Sequence, residues 1–348
     1  MIKQASAMSN ERSVMESAFR YYVRVRRSLL RIITAIQLTR LTMAFGAVAD
    51  VWFVILLTKY HDSHSIYAYL PVHDMNLAAA LFAGATVAIG LFAYGASLND
   101  ILDVRHDTAF SPERPIPAGR IRLGQAIVVT VGALIVAMLG SMAMGKEAGI
   151  VAVITAAIVL FYNATGKYIP AVGLTTVGVI HAAHMLIPNY QLEFTLPVWL
   201  VMTHSMVIAA IVHRLEDKRP VLSPRSIGAS LAGWGALTTL LIWAGARHGE
   251  GLWPDSSAAL AALYPIMAAV GFVFVAWWKA TGVRGKAAAE KLKRYSAMWE
   301  GVYGAAWLLA LNMPAQAVWL ALFSVAGFAA MTAIKEVTGL SDRPVAYR

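Results

Sequence analysis

Apolar residues run through this chain in long uninterrupted stretches separated by short polar segments. Asn76 to Leu98, Ile127 to Gly145 and Ala258 to Trp278 carry no charge. Each is close to the ~20 residues an α-helix needs to cross a bilayer. The pattern predicts spans at 41–58, 77–97, 125–144, 149–162, 170–188, 196–212, 227–245, 257–278, 296–312 and 315–334. The ninth is the weakest, being short and containing Glu300. No alternation at period two runs through these stretches, which argues against a membrane β-barrel. The expected fold is an all-α polytopic transmembrane bundle of nine to ten spans. Residues 1–39 read as a basic amphipathic tail, 40–335 as the membrane domain and 336–348 as a short C-terminal tail.

Composition agrees. Hydrophobic residues make up 59% of the chain and charged residues 14%, against roughly 25% charged in soluble domains. The absence of cysteine excludes disulfides and thiolate metal sites. The first apolar segment begins near residue 41, too late for a cleaved signal peptide.

The charges have a sidedness. Loops 98–124, 163–169, 213–226 and 279–295 hold fifteen Lys and Arg residues, whereas 59–76, 145–148, 189–195, 246–256 and 313–314 hold three: Lys59, Lys146 and Arg247. By the positive-inside rule the first set and the N-terminus are expected to be cytoplasmic. The net charge of +10 therefore serves topology and anionic headgroups of the lipid bilayer. No basic domain large enough to dock a duplex remains, so nucleic acid is not an expected partner.

The first cytoplasmic loop carries chemistry. Asp100, Asp103 and Asp107 stand at i, i+3 and i+7, a spacing that puts three carboxylates on one helical face with Asn99 beside them. Such acids repel each other near a membrane boundary and call for a counterion. An all-oxygen donor set suits a hard cation such as Mg²⁺, which binds through a few carboxylates and substrate phosphates. Arg105, Arg114 and Arg120 follow, and arginine clamps phosphate through paired hydrogen bonds. As bare charges, the same residues also fit a solvated loop neutralising itself.

The detailed pattern decides between these readings. Asn99-Asp100-x-x-Asp103-x-x-x-Asp107, followed by Arg114-Pro115-Ile116-Pro117-Ala118-Gly119-Arg120-Ile121, resembles the first signature of the UbiA superfamily of intramembrane prenyltransferases. Leu38-Thr39-Arg40-Leu41 is similar to the family's opening segment. Tyr162-Asn163-Ala164-Thr165-Gly166-Lys167 looks like its tyrosine and lysine stretch. The resemblance implies a ring of helices around a central cavity, with two acid-rich cytoplasmic motifs holding Mg²⁺ and a prenyl diphosphate. It implies diphosphate contacts from Arg40, Asn99, Arg105, Arg114 and Lys167, and metal binding by Asp100, Asp103 and Asp107.

The second motif departs from the family pattern. It reads Val212-His213-Arg214-Leu215-Glu216-Asp217-Lys218-Arg219-Pro220, with His213 where an acid is usual. His213, Glu216 and Asp217 are expected on one helical face. They are the candidate second metal ligands, a set better suited to Mn²⁺ than to Mg²⁺.

Polar groups inside spans are the remaining candidates. Asp50 in span one costs ~2.5–3.5 kcal/mol to insert unless it faces a cavity or a partner. His181 and His184 share a face of span five, and His204 lies on span six. Asp50, Lys167, His181 and His184 are the candidate catalytic groups, the span residues serving as acceptor contacts or as the base for the surplus proton. The expected activity is Mg²⁺-dependent transfer of a prenyl group to an unidentified acceptor. A terpene cyclase using the same diphosphate site, a non-catalytic lipid-binding protein and a transporter are the alternatives.

Overall fold

The computed structural model describes residues 43–61, 70–248 and 257–339, together with 21, 34–36, 38–40, 253 and 254. Most of the expected N-terminal tail and the last nine residues lie outside these. Each expected span is occupied by a helix: α1 Phe45–Tyr60, α3 Leu77–Leu102, α5 Leu123–Ala143, α6 Lys146–Ala164, α7 Pro170–Met185, α8 Leu196–Leu215, α9 Pro224–His248, α10 Leu263–Ala280, α11 Gly285–Ala310 and α12 Pro314–Gly339. Two short helices, α2 Pro71–Asp74 and α4 Val104–Phe110, lie between spans. No strand occurs among the described residues.

Local sequence sets the helix starts. Pro71, Pro170, Pro224 and Pro314 open α2, α7, α9 and α12, where a missing N–H costs nothing and the fixed φ is helical. Asn76 caps α3 by accepting a hydrogen bond from the Ala78 N–H at 2.9 Å, which satisfies one of the helix's free donors.

Among the described residues, seven helices are long and apolar enough to cross a membrane: α3, α5, α6, α8, α9, α10 with its preceding turn, and α12. The protein is thus an integral polytopic membrane protein. Among the described residues the remaining long helices are α1 and α7, of 16 residues each, and α11, whose first turns carry Lys286, Lys291, Lys293 and Arg294.

The helices close into a ring. α3 packs on α5 and α6, α6 on α7, α7 on α8 and α9, α8 on α11, and α11 on α10 and α12. α1 touches α3, α7, α11 and α12 and is buried along most of its length. α9 and α10 lie at the periphery with large apolar side chains such as Leu231, Trp243, Met267 and Trp277 exposed, as lipid-facing surfaces require.

With lipid as solvent, helices associate through close packing at small residues. A Cβ at Gly90 would stand 2.7 Å from the Ala137 nitrogen and 2.8 Å from the Ala133 oxygen of α5. Backbone atoms cannot step aside, so glycine is what lets α3 and α5 approach. Gly90→Ala is expected to lower the thermal unfolding midpoint of the solubilised protein, a loss of about 1–3 kcal/mol through overpacking. Gly132→Ala is the control, because a Cβ there meets nothing within 4 Å. Equal midpoints for the two variants would contradict this packing.

Candidate active site at the basic end of the bundle

The connections α3–α5, α6–α7, α8–α9 and α10–α11 all emerge at one end of the ring, and these are the four basic loops. Their charged side chains meet there. Asp100 is buried and accepts a hydrogen bond from Arg40 Nη2 at 3.0 Å. Arg114 Nη1 reaches Asp107 Oδ2 at 2.6 Å and Asp100 Oδ1 at 3.4 Å. Lys167 Nζ donates to both oxygens of Asp103 at 2.7 Å and to Asn99 Oδ1 at 3.0 Å. The Tyr168 hydroxyl, which no sequence expectation included, donates to Asp103 at 3.1 Å.

The backbone differs from the single helical face expected for the three acids. α3 stops at Leu102, and Asp103 caps it with φ −90° and ψ 5° before α4 begins. The acids converge nonetheless, because Arg114 bridges Asp100 and Asp107 while Lys167 holds Asp103. Arg105 is exposed and does not join them. Arg40 is placed by a left-handed backbone, φ 47°, an uncommon conformation for a residue with a side chain.

Electrostatics follow from this crowding. Burial pushes the Asp107 carboxyl above its ordinary value; Arg114 opposes that, and Asp100 and Asp103 add to it. Partial burial and the Asp103 carboxylate raise the Tyr168 phenol, so it stays a hydrogen-bond donor. Arg114 Nε is buried with no hydrogen-bond partner. A buried guanidinium N–H left unsatisfied is costly, and an anionic ligand would satisfy it.

Across the same end, α8 finishes at Leu215 and Glu216 caps it. Glu216 pairs with Lys293 of α11 and with Lys218 at 3.1 Å. Tyr162 lies within electrostatic reach of Asp103, Arg40 and Glu216, so both acidic segments border one region. The expected shared face of His213, Glu216 and Asp217 does not form. With the helix ended, Asp217 takes φ 49°, is exposed and pairs with Arg219 at 3.6 Å, while His213 Nε2 meets the Pro220 carbonyl at 2.9 Å. Glu216 alone of the three faces the other loops.

The span residues divide. His204 bridges α8 and α11 through Ser296 at 2.7 Å and Tyr303 at 3.2 Å, a packing arrangement. Asp50 and His181 lie together with Glu300, within 4.8 Å of one another. Glu300 was missed as a site residue, although an acid in an apolar run is the signal that had singled out Asp50. His184 is buried, and its Nε2 has no partner.

A ring of membrane helices with an aspartate-rich segment and basic clamps at one end is the arrangement of an intramembrane prenyltransferase. The UbiA prenyltransferase family matches residues 63–301, and the chain belongs to that family. A digeranylgeranylglyceryl phosphate synthase of Methanosarcina barkeri is 28% identical over 109 residues, covering 30% of this chain and 38% of that one. The synthase of the same name from Ignicoccus hospitalis is 32% identical over 94 residues, covering 27% and 30%. The chain therefore matches less than half the length of either curated relative. A solved structure described as giving insights into digeranylgeranylglyceryl phosphate synthase in membranes has a TM-score of 0.51 at 18% identity, over 80% of this chain and 98% of that one. That likeness establishes a shared fold.

The Glu216 pairings give a pH dependence. Burial alone would raise its carboxyl, but Lys293 and Lys218 outweigh burial and hold it below the ordinary value. A carboxyl lowered on folding contributes stability above its unfolded pKa and loses it as pH falls through the folded one. The stability advantage of wild type over Glu216→Gln is therefore expected to be largest near neutrality, to shrink as pH falls below the ordinary carboxylate value and to vanish in stronger acid. Thermal unfolding across that range measures it; an advantage unchanged in acid would contradict the assignment.

Proposed function

We propose that this protein transfers a prenyl group from a prenyl diphosphate to an acceptor within the membrane, with the basic end on the cytoplasmic side. The observation that carries this reading is the convergence of Asp100, Asp103 and Asp107 with Arg40, Arg114 and Lys167, Arg114 keeping one buried donor free. The family match and the relatives' names support it.

Charge balance supports a divalent cation. Arg40, Arg114 and Lys167 are each already engaged with one of the three carboxylates, so an incoming diphosphate meets cations that are paired rather than free. The all-oxygen donor set of Asp100, Asp103 and Asp107 fits Mg²⁺, with Glu216 as a further donor and Mn²⁺ as a substitute. When bound, such an ion supplies Lewis-acid neutralisation of phosphate oxygens.

The chain's own groups do the rest. Arg114 and Arg40 grip the diphosphate and Lys167 offsets charge on the leaving group. Tyr168 and Asn99 keep Lys167 and Asp103 in place. The surrounding helices exclude water from the allylic cation formed when the carbon–oxygen bond breaks. The relatives' name makes a prenylated glyceryl phosphate the first acceptor to try.

The test uses full-length protein in lipid nanodiscs, a radiolabelled prenyl diphosphate, Mg²⁺ and candidate acceptors. Release of diphosphate with label entering the acceptor is the expected result, lowered on the order of 10²-fold in Asp103→Ala and in Lys167→Ala. Label released as a hydrocarbon or terpene alcohol without acceptor would establish the cyclase instead. Undiminished transfer by Asp103→Ala would overturn the site. Chelation should abolish turnover, with Mg²⁺ or Mn²⁺ restoring it; activity indifferent to chelator would remove the metal.

A further inference from the structure

A second polar constellation lies inside the bundle and has no part in gripping diphosphate. Asp50 of α1, His181 of α7 and Glu300 of α11 each place one donor atom within 4.8 Å of the others. Glu300 lies seven residues beyond Lys293 on α11, and His181 eleven residues beyond the start of α7. At 1.5 Å per residue the cluster sits about 10–16 Å beneath the charged end.

We infer that Asp50, His181 and Glu300 bind a divalent transition-metal cation. Asp50 is 2% exposed and Glu300 6%. Asp50 has no hydrogen bond or ion pair with any described residue, yet its carboxylate is aimed at the other two donors. His181 Nδ1 stands 3.6 Å from Glu300 Oε1. That is beyond hydrogen-bonding distance. It is the separation expected of two ligands each ~2.1 Å from a common ion.

Two facing carboxylates so deep in a membrane protein stay ionised only with a cation between them, and otherwise take up a proton. Among the described residues, the one ion-pairing group beside either of them is His181, next to Glu300, and no lysine or arginine pairs with them. The backbone has been shaped to bring them together: a Cβ at Gly46, one turn before Asp50, would overlap the Glu300 carboxylate and stand 2.5 Å from the Ala297 carbonyl. Glycine at 46 thus leaves room for Glu300 against α1. His184, one turn beyond His181 on the same helix, offers a further buried nitrogen with no partner.

The donor set selects the ion. One imidazole and two carboxylates suit Mn²⁺, Fe²⁺, Co²⁺ or Zn²⁺, whereas Mg²⁺ prefers the all-oxygen set at the charged end. Three protein ligands leave coordination positions open. The cluster therefore differs in chemistry from the diphosphate site as well as in place. A proton shared by the two carboxylates is the other way to neutralise them, and metal binding separates the two.

Full-length protein in nanodiscs is stripped with chelator, held in excess Mg²⁺ to fill the all-oxygen sites, and dialysed against Zn²⁺. Bound zinc is counted by elemental mass spectrometry, and Co²⁺ in its place is followed by visible absorption. The expected result is one tightly held equivalent in wild type, retained in Asp103→Asn and weakened roughly tenfold or more in Asp50→Asn and in Glu300→Gln. No bound equivalent in wild type overturns the inference without recourse to any variant. So does an affinity left unchanged by both Asp50→Asn and Glu300→Gln. Retention in Asp103→Asn keeps this result independent of whether prenyl transfer is found.

Discussion

Asp100, Asp103 and Asp107 crowd their charges at the end of one membrane helix, where screening by water is incomplete and mutual repulsion is strong. The three can stay together only if cations are brought to them. Those cations come from elsewhere in the chain: Arg40 from before α1, Arg114 from the loop after α4, Lys167 from the turn between α6 and α7. Each pairing therefore ties a separate part of the ring to α3. Two carboxylates are nearly fully buried, and breaking a buried pair from one side leaves an uncompensated charge. The constraint that assembles the site is the same one that fixes how the basic loops fold over it.

An ion-paired cluster of this kind is also poised for exchange. In the absence of ligand the acids and bases satisfy one another, which makes the charged end tolerable at a membrane boundary. Under the proposed function a diphosphate would compete for the arginines and the lysine, and a hard cation for the carboxylates. Each swap replaces one charge-assisted contact by another, so the rearrangement costs far less than exposing bare charge would. The unsatisfied Nε of Arg114 marks where this internal neutralisation is incomplete.

Much of the fold was legible in the sequence because membrane spans and the uneven charge of the loops are long-range patterns that tolerate local error. The runs at 77–97 and 125–144 fall within or nearly within α3 and α5. What failed were local backbone events. Nothing in Leu98-Asn99-Asp100-Ile101-Leu102-Asp103 is a helix breaker, so the interruption at Asp103 has no sequence signal. Pro220 disfavours helix in the residue before it, yet α8 stops earlier still, at Leu215, which turns Asp217 away from Glu216. The ninth span was placed at 296 because Lys286 to Arg294 read as loop; the helix starts at Gly285. Charge density hid a helix that leaves the apolar layer while staying regular. That extension is what carries Lys293 to Glu216.

The three long helices that fall short of a simple apolar span are also the ones that meet at Asp50, His181 and Glu300. A helix facing lipid along its length must be uniformly apolar, and α5, with its exposed Ile127, Val128, Val131 and Ile135, obeys this. A helix enclosed by others is released from that demand. α1 is enclosed by α3, α7, α11 and α12, and α11 is buried through Glu300, Tyr303 and Trp307. Their polar residues are then limited only by what they meet inside. Serine, histidine and tyrosine can satisfy each other, as His204, Ser296 and Tyr303 do. Two acids cannot do so without a cation or a proton. The same enclosure that permits Glu300 in α11 thus demands that a cation or a proton neutralise it against Asp50, and the glycine at 46 leaves the room in which the Glu300 carboxylate lies against α1.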